Sequence, residues 1–374
     1  MRLPSVVHIL SSYLVLFAVS GCLGSERARA AVVAGKPFNP DTSVNFLGYV
    51  RRGNVNSGDF VGRASEVHNG FTFQEAEIQF FSDVDPYLKA TALFSIAPEP
   101  GGGFGFEPEE VFFESTSLPM VSIRAGKFKA ALGKHNILHT HAYPFVDAPL
   151  INQALFGGEG VNEVGVSASV LIPVSWFMEL TAQALNNSNE AIYNSPDSGD
   201  MSAVAQLRNL WELSDDSTLE WAVYGTQGKN AASLTAQAGG TDLIYKWRPS
   251  EGGKYHAVIF ANEFLYGDSP TTGFTVGPAA APLNGEKLGG CASWLQYQFA
   301  ERWWVQARAE YLGVGRSDAL PAKRKQSALL GFFPSEFSGF RLQYDHVVPD
   351  EAPVEHAVTL QWNITIGAHP AHSY

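Results

Sequence analysis

From about residue 43 to the end of the chain, apolar and polar positions alternate in one short run after another. The last run is the clearest. Val358, Leu360, Trp362, Ile364 and Ile366 are apolar, Thr359, Gln361, Asn363 and Thr365 between them are polar and uncharged, and the parity continues to Tyr374. A period of two puts successive side chains on opposite faces, so each run predicts a β-strand with one oily and one wet face. The first strand falls near 43–51. In 71–82, Ala76, Ile78 and Phe80 alternate with Glu75, Glu77 and Gln79; in 87–96, Leu88, Ala90, Ala92 and Phe94 alternate with Lys89 and Thr91. Two more runs, 109–115 and 120–128, precede a long interruption. Val164, Val166, Ala168, Val170 and Ile172 then oppose Glu163, Gly165, Ser167 and Ser169, and Trp176, Met178, Leu180 and Ala182 oppose Glu179, Thr181 and Gln183. Runs at 201–212, 218–226, 241–248, 255–265, 287–299, 303–312, 325–333 and around 340–345 complete the series, with the parity of 255–265 ambiguous.

The connections alternate in length. Short turns such as Asp83-Val84-Asp85-Pro86, Ser214-Asp215-Asp216-Ser217, Glu301-Arg302 and Pro334-Ser335-Glu336 take turns with longer loops such as 52–70, 98–107, 129–158, 186–199 and 267–285. About seven turns and eight loops join about sixteen strands, the pattern of an outer-membrane barrel. In hydrocarbon every backbone N–H and C=O must pair within the protein, which a sheet achieves only by closing on itself. The expected fold is therefore all-β: a closed antiparallel transmembrane β-barrel with short periplasmic turns and long extracellular loops. The apolar faces meet lipid, and a lumen this wide is expected to hold water. Its wall would include Glu75, Glu77, Lys89, Glu114, Arg124, Glu179, Arg208, Glu220, Arg308, Glu310, Arg341 and Asp345, either as a generic solvated surface or as selectivity contacts. Acids exceed bases overall, which favours a general or weakly cation-preferring pore over an anion channel.

Composition agrees. The 374 residues carry a formal charge of −12, which argues against a nucleic-acid partner. After the N-terminus no run approaches the roughly 18 apolar residues of a spanning helix. Arg2 and the apolar run Val6–Val19 read as a secretory signal peptide over 1–30. Two cleavage points compete. Ala28-Arg29-Ala30 is an ordinary small-x-small site, whereas Val19-Ser20-Gly21-Cys22 has the form of a bacterial lipobox and would leave a lipidated Cys22. The only other cysteine is Cys291, so no intramolecular disulfide framework is expected. Residues 31–42 read as an irregular lead-in and 43–374 as the barrel, placed in the outer membrane of a Gram-negative bacterium.

The third long connection, about 129–158, is apolar for a loop in water, which predicts that it folds into the barrel as a constriction. It carries His135, His139, His141 and Asp147 with Tyr143 and Phe145. Three histidines and an acid suit zinc, with His139 and His141 the first ligand candidates; ordered packing and hydrogen bonding is the other reading. His369 and His372 form a second pair at the opposite end of a strand. Lys323-Arg324-Lys325 falls near an outer rim, where lipopolysaccharide phosphates are one partner and plain solvent the other. No Ser-His-Asp order, H-E-x-x-H or P-loop is present, so no catalytic residue is expected.

Arg124-Ala125-Gly126-Lys127-Phe128-Lys129 resembles a strand end of the phosphate-selective porin (O and P) family. Phe145-Val146-Asp147-Ala148-Pro149-Leu150, Gln153-Ala154-Leu155-Phe156-Gly157-Gly158 and the terminal Gly367–Tyr374 resemble a plugless group labelled zinc-regulated TonB-dependent outer-membrane receptors. The resemblance implies a porin-like barrel linked to zinc supply. Three functions follow as expectations: a passive channel for small hydrophilic solutes or ions, lying in outer-membrane lipid as a homotrimer; a zinc-related uptake or binding protein; or a secreted soluble β-protein.

Overall fold

The structure, a computed structural model, describes residues 40–55, 69–99, 102–276, 283–350 and 352–368. The signal peptide with Cys22, the lead-in up to residue 39, and His369, His372 and Tyr374 lie outside the described residues. From Asp41 onward the chain forms a closed antiparallel barrel of sixteen strands. The barrel strands are β1 (Asp41–Gly53), β2 (Gly70–Asp85), β3 (Leu88–Pro98), β4 (Phe104–Ser115), β5 (Val121–Lys129), β6 (Asn162–Leu171), β7 (Phe177–Leu185), β8 (Ser202–Ser214), β9 (Ser217–Lys229), β10 (Thr235–Trp247) and β11 (Ala257–Asp268). After a small hairpin of β12 (Phe274–Val276) and β13 (Leu283–Gly285), the barrel resumes with β14 (Lys287–Ala300), β15 (Trp303–Val314), β16 (Lys323–Ser335), β17 (Ser338–Pro349) and β18 (Glu355–Gly367).

Closure is made where the alternation was plainest. β1 pairs with β18 from Ser43↔Gly367 to Gly53↔Ala357, so the first and last edges satisfy each other. Lipid offers no other partner for those backbone groups. The outward parity is as the alternation predicts. Val164, Val166, Val170, Leu180, Trp221, Val223, Val305, Leu330, Phe340, Leu342, Val358, Leu360, Ile364 and Ile366 all face out and are exposed. Aromatic pairs flank this apolar band. Trp176–Trp211 and Trp303–Phe332 lie toward the turn ends, with ring centroids 6.4 and 4.6 Å apart. Phe73–Phe104 and Phe94–Phe106 lie toward the loop ends, at 5.7 and 5.3 Å. Such rings prefer the lipid–water boundary.

Two differences from the sequence reading have physical causes. The runs expected at 218–226 and 241–248 are longer: β9 and β10 run on to Lys229 and from Thr235, leaving only a tight connection between them. Asn230 closes that connection with its own side chain, whose Oδ1 accepts the N–H groups of Ala232 and Leu234. The segment Thr235–Gly240 has no large apolar residue, so its period is invisible to hydropathy. The alternation is there in small residues, with Ala236 and Ala238 buried on the inner face. The ambiguous run at 255–265 is β11, whose inner face carries Ala261, Glu263 and Leu265, so both faces are partly apolar.

The correction to the lumen concerns its wall, expected to be solvated where the inward loop does not cover it; beside that loop the wall is dry. Phe128, Leu132, Leu150, Ile151, Leu155, Phe156 and Val161 form one buried cluster with Tyr224, Ala236, Leu265, Leu288 and Leu312 of the wall. Phe145 and Val146 form a second with Ile244, Ala261, Trp294 and Leu329. Each such aliphatic or aromatic side chain removed from water contributes roughly 1.5–3 kcal/mol.

At the closing seam Gly48 stands opposite Trp362, and a Cβ on it would lie 2.4 Å from the indole ring. Gly48→Ala should destabilise the folded barrel by about 1–3 kcal/mol through this overpacking. Gly225→Ala, whose Cβ meets its nearest neighbour at 3.7 Å, should cost much less. Unfolding midpoints in detergent check this; equal midpoints would contradict it.

Candidate functional site

The inward loop is the connection between β5 and β6, which turns into the barrel. It is built from a helical turn at Gly133–Asn136, a 3-10 turn at Thr140–Ala142 and a short helix, Leu150–Phe156. Gly133 has φ +78°, and a Cβ there would fall 2.5 Å from both Glu263 Oε1 and the Tyr224 hydroxyl. Only glycine lets the chain pass this wall in that conformation. Pro149 precedes the helix and Gly157, at φ +79°, ends it, the usual helix-boundary residues. The Asn136 amide ties the loop's ends together. Its Nδ2 donates to Ala130 O at 2.8 Å and Val161 O at 3.1 Å, and its Oδ1 accepts Val161 N–H at 2.8 Å.

Three polar groups hold the loop to the wall. The first surrounds Asp147, which is fully buried. Arg308 donates to its Oδ1 and to its backbone oxygen, each at 2.8 Å; Gln343 donates at 2.8 Å, and Lys325 forms a close ion pair with Oδ2. Arg308 also pairs with Glu310 at 2.8 Å and covers the Phe145 ring at 4.5 Å. Glu310 accepts the N–H of Leu150, Gln343 that of Val146, and Arg341 donates to the carbonyls of Tyr143 and Phe145. Burial alone would raise the Asp147 pKa, but Arg308 and Lys325 outweigh it and lower it to about 2.

The second group is Glu263, which accepts from Asn152 and Tyr224 at 3.2 Å each and meets His135 Nδ1 at 3.1 Å. The third lies on the opposite wall. His139 sits between two carboxylates, with Nδ1 3.2 Å from Glu109 and Nε2 2.9 Å from Glu110. Lys129 Nζ approaches Glu109 at 3.3 Å, and His141 abuts Glu77. The rings of His139 and His141 stack, with centroids 5.9 Å apart. Burial opposes a charge on His139, yet Glu109 and Glu110 hold its pKa well above the ordinary value. Burial, reinforced by the neighbouring His139 charge, pushes His141 down to about 3.

The residues expected to line the pore thus divide. Lys89, Glu114 and Arg124 form one partly exposed cluster at the turn end, Lys89–Glu114 at 2.9 Å and Arg124–Glu114 at 2.7 Å. Glu179 pairs with Arg208 at 3.0 Å. Glu75, Glu77, Arg308, Glu310, Arg341 and Asp345 are not solvated wall: all are buried, and Glu77, Arg308, Glu310 and Arg341 contact the loop directly. The four-ligand zinc set is not assembled either, because His135 serves Glu263 and Asp147 is saturated by cations. Lys325 faces inward to Asp147 rather than toward lipopolysaccharide.

Sequence reasoning missed Glu109, Glu110, Lys129, Glu263, Gln343 and Tyr224. Glu109 and Glu110 are adjacent, so strict alternation would put one of them in lipid. A register shift between Leu93 and Phe94 of β3 gives β4 an extra residue, and both acids turn inward. Pro108, a residue that cannot donate to the ladder, was the one available signal. A matching bulge in β2 leaves Gln74 unpaired in register and turns it inward beside Glu75, where its Oε1 accepts from Gln361 at 2.7 Å.

A closed barrel with an apolar, aromatic-edged exterior and a loop bonded inside it is a membrane-spanning barrel of the outer-membrane porin type. No family model matches the chain. An uncharacterized protein of Aquifex aeolicus is 25% identical over 342 residues, covering 82% of this chain and 70% of that one. In structure the chain is similar to Salmonella typhi OmpF, solved with daunomycin, at 10% identity and TM-score 0.60, covering 88% of this chain and 98% of that one. It is also similar to the outer-membrane channel DcaP of Acinetobacter baumannii at 9% identity and TM-score 0.56, covering 87% and 97%. The trimer form of OmpT, an outer-membrane protein of Vibrio cholerae, matches at 7% identity and TM-score 0.53, covering 87% and 99%. At these identities the likeness is one of fold. The resemblance to two named families rests on the motifs at 124–158 and 367–374 alone.

Arg308→Ala should destabilise by about 3–5 kcal/mol, because it strands buried Asp147 and Glu310, whereas Arg124→Ala, at a side chain 35% exposed, should cost about 1 kcal/mol or less. Urea unfolding measures both. The folded-state pKa of Asp147 is depressed, so its anchor is complete above the unfolded value and is lost as pH falls from about 4 toward 2. The stability gap between wild type and Asp147→Asn should be constant at neutral pH and close over that window.

Proposed function

We propose that the protein is an outer-membrane channel through which small hydrophilic solutes or ions diffuse passively, its bore set by the loop between β5 and β6. The observation that carries this reading is the loop itself: a closed sixteen-strand wall surrounds it, and buried ion pairs fix it there. Such a loop leaves a path narrower than the barrel. The partly exposed Lys89, Glu114, Arg124, Glu179 and Arg208 stand along the wall at the turn end, where permeating ions would meet charges of both signs. A homotrimer belongs to the same reading, supported by the trimer form of the similar Vibrio protein.

Purified protein reconstituted in planar bilayers should give stepwise conductance. Asp147→Ala, which removes the acceptor shared by Arg308, Lys325 and Gln343, should give larger or less regular steps. A correctly folded barrel that stays electrically silent would contradict the proposal, and liposome swelling with sugars of graded size would set the solute limit.

A further inference from the structure

The contact between His139 and the β2–β4 wall has a composition that the other two anchors lack. Around Asp147, Arg308 and Lys325 are shared among Asp147, Glu310 and Asp345, with Gln343 donating as well, and Glu263 is met by a hydroxyl, an amide and an imidazole. Near His139 the acids outnumber the lysines and arginines further. Glu75 and Glu77 of β2 and Glu109 and Glu110 of β4 face inward from either side of β3, each side chain largely withdrawn from solvent, with Lys129 as the lysine paired to Glu109. Glu77 is 2% exposed and, among the described residues, pairs with His141 rather than with a lysine or arginine. Directly opposite Glu77 in the β2–β3 register lies Ser95, wholly buried, whose hydroxyl has no hydrogen-bond partner among the described residues. Removing several carboxylates from water without matching positive charge is costly, and a bound cation relieves it.

The donor geometry selects the kind of cation. One oxygen each of Glu77 and Glu109 and one ring nitrogen of His139 lie within 4.8 Å of one another. His139 Nδ1 and Glu109 Oε1 are 3.2 Å apart. Two ligands at 2.0–2.2 Å from a tetrahedral metal are separated by about 3.3 Å, so this pair is already at ligand spacing. A carboxylate rotation brings in Glu77. An imidazole with carboxylates suits zinc and its neighbours in the first transition row over magnesium or calcium, which take all-oxygen sets. His141 against Glu77 supplies the outer support such ligands usually have.

We infer that Glu77, Glu109 and His139 form a binding site for one divalent zinc-type cation, which clamps the inward loop to the β2–β4 wall. The ligands come from two bulge-adjusted strands and from the loop, so occupancy and loop position are one equilibrium. Binding itself does not depend on the barrel conducting; only its effect on the bore rests on the channel reading.

The test is calorimetric titration of Zn²⁺ into the full-length, chelator-treated barrel in detergent, with Mg²⁺ as the competing probe. Wild type should bind one zinc per chain in a large excess of magnesium and unfold at a higher temperature when loaded. His139→Ala and Glu77→Gln should each weaken binding by roughly tenfold or more, since even outer-shell losses cost that much. Glu114→Gln, in the cluster at the turn end, should leave it unchanged. Heat-modifiable migration on gels establishes that each variant is folded; if His139→Ala is not, the shape-preserving Glu77→Gln carries the comparison. No zinc uptake by wild type, or unchanged affinity in a folded ligand variant, overturns the site. Chelated protein that conducts but never binds zinc would remove this inference and leave the channel. Zinc binding by a barrel that never conducts would do the reverse.

Discussion

Backbone hydrogen bonding in hydrocarbon is the constraint on which everything else in this molecule depends. A strand edge in lipid has no water to satisfy it, so the sheet must return to its own beginning. The β1–β18 seam meets that requirement, and Gly48 beneath Trp362 shows how closely the two edges fit. Once closed, sixteen strands enclose more space than wall side chains can fill. The chain folds one of its own loops into that space, which needs a second set of bonds, because polar backbone brought indoors must also be satisfied. Asn136, Arg341, Gln343 and Glu310 each provide them for loop carbonyls or amides.

Charged residues on the inner wall therefore do two jobs at two depths. Toward the turns, Lys89, Glu114, Arg124, Glu179 and Arg208 pair with one another along the strands and stay partly wetted. Deeper in, Arg308, Glu310, Lys325 and Arg341 pair with the loop and are buried. Surface pairs of the first kind add little stability. Buried pairs of the second kind are costly to break, so they hold the loop in one position.

The wall was largely legible in the sequence because lipid enforces a period of two on it. Strand number, facing and the closing pair all follow from that period, as the run from Val358 to Ile366 illustrates. The inward loop was legible too, from apolar residues such as Leu150, Ile151, Leu155 and Phe156 in a connection that water alone would not favour. Partnerships were not. Nothing in the chain announces that Asp147 meets Arg308, 161 residues away, or that His139 and His141 meet different glutamates. Bulges hid more: adjacent Glu109 and Glu110 share a face only because β4 carries one residue extra. Between 235 and 240 the strand was hidden by the smallness of its side chains, which is what allows the loop to pack against them.

A double-mutant cycle between Asp147 and Arg308 tests most directly whether the loop lies bonded inside the barrel. The single and double alanine variants would be compared by equilibrium unfolding in detergent. Residues in direct contact should show a coupling of about 1–3 kcal/mol, the double variant being less damaged than the sum of the singles. Strictly additive effects would mean that the two residues do not meet, and that the loop lies elsewhere.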